Sequence, residues 1–351
     1  MIKFQFLKYT AVFIIPLLTV FSFVSNGWLT FSTVIFSYFL IPSLEFLFSS
    51  NTSNLDKTEY DKLKDQRIFD YLLYLMVPIQ FALLFFYLVT VSSVNLTTLE
   101  FVGMTMSMGL NCGVLGINVA HELGHRNGKI DQFLAKLLLM SSLYMHFIIE
   151  HNRGHHKYVS TPEDPSSARK GELVHFFWFR SIFMAYRSAW RLEANRLGKV
   201  SVLSFMLKNE MLRFQIYQLL LLLAIFWVFG FWPMVGFWFA ALLGIIQLET
   251  VNYIEHYALT RKKVSDDRYE RVQPWHSWNS NHAVGRAMLF ELSRHSDHHY
   301  LANKKYQLLD HHDGSPQMPT GYPGMMLLAM IPPLWFKVMH RKLDDIPHLE
   351  S

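Results

Sequence analysis

The sequence predicts an all-α integral membrane protein, in which six transmembrane helices carry a cytoplasmic histidine-rich helical lobe. Half of its 351 residues are hydrophobic and only 17% are charged. The apolar residues gather in long runs instead of recurring at the spacing of a soluble core. None of the 17 histidines precedes residue 121.

A helix needs about 20 apolar residues to cross a hydrocarbon slab. Windows 9–25, 69–94, 101–119 and 214–248 are almost free of charge, Asp70 standing at one border. The last window is broken at Gly230 and Pro233 and is long enough for two crossings. Spans are expected at 9–25, 28–49, 69–94, 98–120, 214–230 and 233–253. The first lacks a small-residue cleavage site and runs into a second apolar stretch, so it reads as a span and not as a cleaved leader.

Residues 50–68 form a polar, partly helical connection. Spans 1–4 (1–120) are followed by a polar segment (121–213), spans 5 and 6 (214–253) and a second polar segment (254–351). Each polar segment starts from a membrane helix, so the two are expected to pack together as one domain with the spans. The apolar stretch 133–149 should run along the membrane face or dip into it. The stretch 325–336, MMLLAMIPPLWF, is too short to cross and should lie in the interface or on the lobe.

Lys and Arg flanking membrane spans are retained on the cytoplasmic side. The expected outer loops, 25–27, 95–97 and 231–232, hold neither residue. Segments 3–67, 126–213 and 261–342 carry 6, 14 and 12 of them, which accounts for all 32. The lobe is therefore placed in the cytoplasm. A net charge of +5 suits contact with anionic lipid headgroups or an acidic protein partner. Beyond the basic balance nothing points to nucleic acid. Cys112 is the single cysteine and falls inside a span, which excludes a disulfide framework and a thiolate metal site. Electrons, if used, must come from another chain.

The histidines fall into boxes. HELGHR (121–126) places His121 and His125 on one helical face. Alone, HExxH also describes a zinc protease with Glu122 as general base. EHNRGHH (150–156) places His151 and His155 on a shared face, with His156 able to reach a second ion, and RHSDHH (294–299) offers His295, His298 and His299. NYIEHY (252–257) adds His256 at the end of the last span. A catalytic zinc takes three protein ligands, so these nine histidines exceed a protease and match two ions with open positions. Glu122, Glu150, Glu255 and Asp297 adjoin the boxes and are expected to accept the second N–H of ligand imidazoles. His146, His175, His276, His311, His312, His340 and His348 lack such spacing, and His282 is intermediate. Three Met residues at 104, 106 and 108 read as packing.

These four motifs resemble those of the membrane-bound alkane monooxygenase (alkane 1-hydroxylase) family, within the superfamily that includes the fatty-acid desaturases and xylene monooxygenase. The likeness extends through TPEDP (161–165), SWNSNH (277–282) and YQLL (306–309). Three residues between His151 and His155 match the hydroxylases, whereas desaturases use HxxHH. Arg126, Ala258, Ser293 and Tyr300 depart from the usual pattern without removing a ligand.

The resemblance implies that the nine histidines hold two non-haem irons, one with four and the other with five. It implies O2-dependent hydroxylation of medium-chain n-alkanes to primary alcohols in a bacterial inner membrane. Electrons would come from a rubredoxin-like donor and its reductase, and the substrate from the bilayer. A xylene-type methyl-arene hydroxylase, a fatty-acyl desaturase and a histidine-rich metal carrier are the alternatives.

Overall fold

The computed structural model describes residues 2–346 apart from 49, 94 and 267. The expected span ends at 49 and 94, and His348, lie outside the described residues. Helices α1 (Gln5–Val24), α2 (Gly27–Leu47), α4 (Ile68–Ser93), α5 (Thr98–Gly124), α10 (Glu210–Phe229) and α11 (Phe231–His256) are each long and apolar enough to cross a membrane. Between and after them lie α3 (Lys57–Leu63), α6 (Lys129–Met140), α7 (147–158), α8 (Val174–Leu197) and α9 (Val202–Lys208). The C-terminal segment adds α12 (Ala283–Met288), α13 (His295–Tyr300), α14 (Tyr322–Ala329) and α15 (Pro332–Asp344). The only strands among the described residues are the paired β1 (Lys263–Ser265) and β2 (Arg268–Tyr269).

Local sequence sets the helix ends. Thr97 caps α5 by accepting from the Glu100 amide, and the Glu100 carboxylate takes the Thr97 amide at 2.9 Å in return. The same carboxylate accepts from Gly27 N at 2.9 Å, which ties the two short loops at that end together. The span expected from 214 begins at Glu210, because the Asn209 side chain accepts from Leu212 N at 3.0 Å and starts the helix there. Gly230, at φ +95°, separates α10 from α11, a conformation glycine adopts without a Cβ penalty.

The bundle is tightest where α5 meets α11. A Cβ on Gly244 would stand 2.7 Å from Cys112 Cβ and 2.9 Å from Gly113 N, and one on Gly109 would stand 2.8 Å from Leu243 Cβ. Small residues let backbones approach, the main source of helix association where solvent is as apolar as the side chains. This seam aligns the ends of α5 and α11, and each end carries histidines.

Residues 129–158 dip into the bundle. The Ser142 hydroxyl donates to Cys112 O at 3.0 Å, Gln80 donates to Ser141 Oγ at 3.2 Å, and Met145 N donates to the Gln218 side chain at 2.9 Å. Irregular backbone is tolerated at such depth because it is enclosed by protein that satisfies its polar groups. The stretch 325–336 packs on the lobe: Met325, Ala329 and Trp335 are buried beside Tyr253 of α11 and Tyr257 just after it. Its opposite side leaves Leu327, Ile331 and Leu334 exposed.

Candidate metal centre

Four separated stretches bring their histidines to one end of the bundle. The nine boxed imidazoles form two nests, each with ligand atoms within 4.8 Å of one another. The first holds His121 from α5 and His125 just after its end, His151 and His156 from α7, and His298 from α13. The second holds His155, His256 from α11, and His295 and His299 from α13. His146, His175, His276, His282, His311, His312 and His340 belong to neither nest. His146 is buried against Tyr144, and His276 pairs with Glu270 at 3.3 Å.

The partition of α7 differs from the expectation. In a regular α-helix His151 and His155 would share a face, but residues 151–155 make a π-turn. A π-turn closes its hydrogen bond over five residues instead of four. His151 and His156 therefore meet, Nε2 to Nε2 at 3.1 Å, while His155 turns to the second nest and meets His299 Nε2 at 3.2 Å. A second π-turn, Cys112–Asn118, lies just before the first box. In α13 the α-helical spacing holds, and His295 and His299 share a nest while His298 points to the other.

The distances suit metal ions. His151 Nε2 stands 3.0 Å from His125 Nε2, and His295 Nε2 stands 3.2 Å from His256 Nε2. With metal–nitrogen bonds of about 2.0–2.1 Å, adjacent donors on one ion fall at such separations. Burial, then the neighbouring rings, holds His125, His151, His156, His295 and His299 well below the ordinary imidazole pKa and pushes His298 down to about 3. Neutral imidazoles keep the lone pairs that an ion requires.

The carboxylates are arranged differently from the expectation. Glu122 accepts from the Arg126 guanidinium at 3.1 Å and from Tyr306 N at 3.3 Å. Asp297 is held by Lys304, Asp310 N and His312, the last at 2.7 Å. Glu150 leaves Oε1 buried without a hydrogen bond, and burial pushes its carboxyl up to about 8. Among the described residues, the carboxylate that takes the Nδ1 of a nest histidine is one the sequence reading passed over: Asp164 Oδ2 lies 2.9 Å from His155 Nδ1. Ser167 Oγ and Ser166 N fix Asp164 in turn at 2.6 and 3.1 Å. Burial opposes a charge on His155, yet the adjacent Asp164 raises its pKa above the ordinary value. A proton held on Nδ1 leaves Nε2 as the donor to an ion. Asp164 lies within TPEDP, and that motif was its only trace in the sequence.

Glu255 stands on the ion-facing side. Its Oε2 is 3.1 Å from His295 Nε2, the atom that also faces His256, and its other oxygen accepts from the Tyr322 hydroxyl. Its carboxylate thus borders the second nest, whose donor set is the four imidazoles.

An apolar cavity of about 960 Å3, its open mouth included, runs among α1, α2, α5 and α11 and ends on His121, His151, His295 and Glu255. Ile15, Leu110, Val114, Leu248, Val251 and Met288 make its walls mostly apolar, interrupted by Ser37, Asn118 and Asn252.

Six spanning helices with twin histidine nests at one end define a histidine-box membrane protein, and a family profile described as fatty acid desaturase matches residues 97–329. The chain is 42% identical over 315 residues to alkane 1-monooxygenase 1 of Pseudomonas aeruginosa, covering 89% of this chain and 82% of that protein. It is 39% identical over 320 residues to alkane 1-monooxygenase of Pseudomonas putida, covering 91% and 79%. The chain accordingly belongs to the alkane 1-monooxygenase family, within the fatty acid desaturase superfamily. The hydroxylase component of xylene/toluene monooxygenase of Pseudomonas putida is more distant, at 29% over 250 residues, with 70% and 66% covered.

Proposed function

We propose that this protein hydroxylates the terminal methyl group of medium-chain n-alkanes to primary alcohols, using O2 and a pair of non-haem irons held by the two nests. The observation that carries the reading is the apolar cavity that ends on histidines of both nests. An alkane offers no polar group, so only shape and apolar contact can place its methyl end. The irons, when bound, supply the oxygen activation and the oxidation of the C–H bond.

The first nest offers five imidazoles and the second four, with Glu255 beside it. All-imidazole sites also suit zinc, copper and nickel, so iron rests on the family. An HExxH zinc site uses three protein ligands, whereas His121 and His125 stand in a nest of five.

The loop charges orient the nests toward the cytoplasm, in the inner membrane of a bacterium. His125 and His156 are the half-buried ligands, and Lys157, Arg169, Lys170, Lys262, Lys263 and Arg271 are exposed on the polar segments. That charge suits an acidic rubredoxin-like donor, re-reduced by its own reductase. The similarity to the xylene/toluene enzyme favours a methyl-arene hydroxylase as the second reading.

Iron-loaded protein in lipid nanodiscs, supplied with a reductase, a rubredoxin and octane or toluene, tests the function. The expected product is 1-octanol at a rate exceeding that of benzyl alcohol. Benzyl alcohol alone would favour the second reading. No alcohol from protein carrying two irons would overturn both.

A further inference from the structure

Helix α8 carries four arginines, and they divide by direction. Arg180 pairs with Glu172 at 2.6 Å and Arg196 with Glu193 at 2.5 Å. Arg187 and Arg191 are exposed, and among the described residues no carboxylate pairs with either. They continue an outward stripe that begins with the exposed Phe176, Phe179 and Phe183, since positions 176, 183, 187 and 191 fall on one side of a helix. The Arg187 guanidinium lies 5.9 Å from the centre of the Phe183 ring. Within one helix the stripe passes from aromatic to cationic, the order in which hydrocarbon gives way to headgroups.

Both ends of α8 are tied to the histidine end of the spans. Trp178 Nε1 donates to Thr250 Oγ1 at 3.0 Å near the close of α11, and Glu193 accepts from Glu210 N at 2.7 Å at the start of α10. The two ties stand about 22 Å apart along the helix. Fixed twice to the same end of the bundle, α8 runs along the membrane face and not through it.

Helix α9 follows directly. Ser201 caps it by accepting from Ser204 N at 3.3 Å, and Asn209, one residue past its end, starts α10. Val202, Leu203, Met206 and Leu207 are each more than half exposed, and the exposed Lys199 and Lys208 flank them. Residues 194–209 contain no Asp or Glu. Four bare apolar side chains on so short a helix are a liability in water. Beside the first turn of a span they meet acyl chains, while the lysines reach up to the headgroups.

We propose that α8 and α9 form an arm seated in the headgroup layer at the histidine end, where Arg187, Arg191, Lys199 and Lys208 bind the phosphates of anionic phospholipids and α9 enters the acyl boundary. Unpaired charge and bare apolar surface stand side by side on the arm, which suits an acidic lipid. An acidic protein would meet the charge and leave α9 uncovered. The seat does not depend on the reaction proposed above.

Full-length protein in nanodiscs tests the seat without turnover. Leu203→Cys takes a bimane label, Cys112 being buried, and Lys263→Cys on the exposed β1 serves as the water-facing control. Doxyl-phosphatidylcholine should quench the label at 203 and aqueous iodide should not; at 263 the order should reverse. Quenching at 203 by iodide alone would overturn the seat. So would protection from both quenchers, which would mean that a protein chain covers α9. Native mass spectrometry of the solubilised protein, titrated with phosphatidylglycerol and with phosphatidylcholine, tests the charge. Retention of phosphatidylglycerol should fall about fivefold for each of Arg187→Gln and Arg191→Gln, with phosphatidylcholine retention, iron content and melting temperature unchanged. Equal phosphatidylglycerol retention in wild type and the double variant would overturn the headgroup site, as would its displacement by inorganic phosphate, the mark of a site for free anions.

Discussion

The ring of His156 stacks on that of His299, centroids 4.3 Å apart and planes 24° from parallel, although the two belong to different nests. His151 and His155 likewise stand back to back across the π-turn, with centroids 5.1 Å apart. The two ion sites are thus neighbours walled by shared elements, and each remains a separate donor set.

That separation predicts two metal ions per chain. His298→Ala removes a donor from the first nest only, and His295→Ala from the second only. Each variant should retain about one iron and lose alcohol formation by more than about 100-fold, since even partners of ligands cost 10–100-fold. Metal analysis of the purified variants checks the stoichiometry. Simultaneous loss of both ions in each variant would contradict separate nests.

Asp164 fixes the tautomer of His155. Asp164→Asn keeps the shape but loses the charge, and should weaken iron retention against a chelator by about tenfold; Asp164→Ala should weaken it by about 100-fold. Glu122→Gln, which disturbs the Arg126 contact instead of a histidine, should retain iron as the wild type does.

Glu291 ties the N-terminal span to the lobe. Its carboxylate accepts from Lys8 at 2.6 Å, Tyr9 at 3.0 Å and Arg286 at 2.5 Å. Burial works against the charge, but Lys8 and Arg286 hold its pKa below the ordinary carboxylate value. A group depressed in the folded state stabilises fully above the unfolded pKa of about 4.3 and loses that contribution as pH falls through the native value. Glu291→Gln should therefore cost about 3 kcal/mol at neutral pH, as for a broken buried ion pair. The gap to wild type should narrow once pH falls below about 4.3 and close only below the depressed native value. Thermal unfolding in detergent across pH measures both.

Gly244 sets how closely α11 approaches α5. Gly244→Val places carbon where Cys112 and Gly113 stand, and overpacking costs about 1–3 kcal/mol. Because α11 ends in His256, the variant should also lose iron from the second nest. A fully loaded, equally stable variant would show that the seam does not position that histidine.

Six spans were legible because each apolar run must cross a slab of fixed thickness, and the nine imidazoles were legible from short spacings within single segments. The π-turn was not legible: nothing in HNRGH distinguishes it from an α-turn, so the pairing of His151 with His156 was missed. The carboxylates misled for a related reason. Adjacency in sequence placed Glu122 and Asp297 beside histidines, but side chains one residue apart on a helix point different ways. Asp164 reaches His155 from a loop nine residues on.

By itself the sequence determined which residues enter lipid and which donors are available, because hydropathy and donor chemistry belong to the residues themselves. Tertiary structure alone decided how those donors divide between two nests, which carboxylate orients His155, and where the apolar cavity opens. These depend on helix register and on packing between segments far apart in the chain, and no local pattern encodes either.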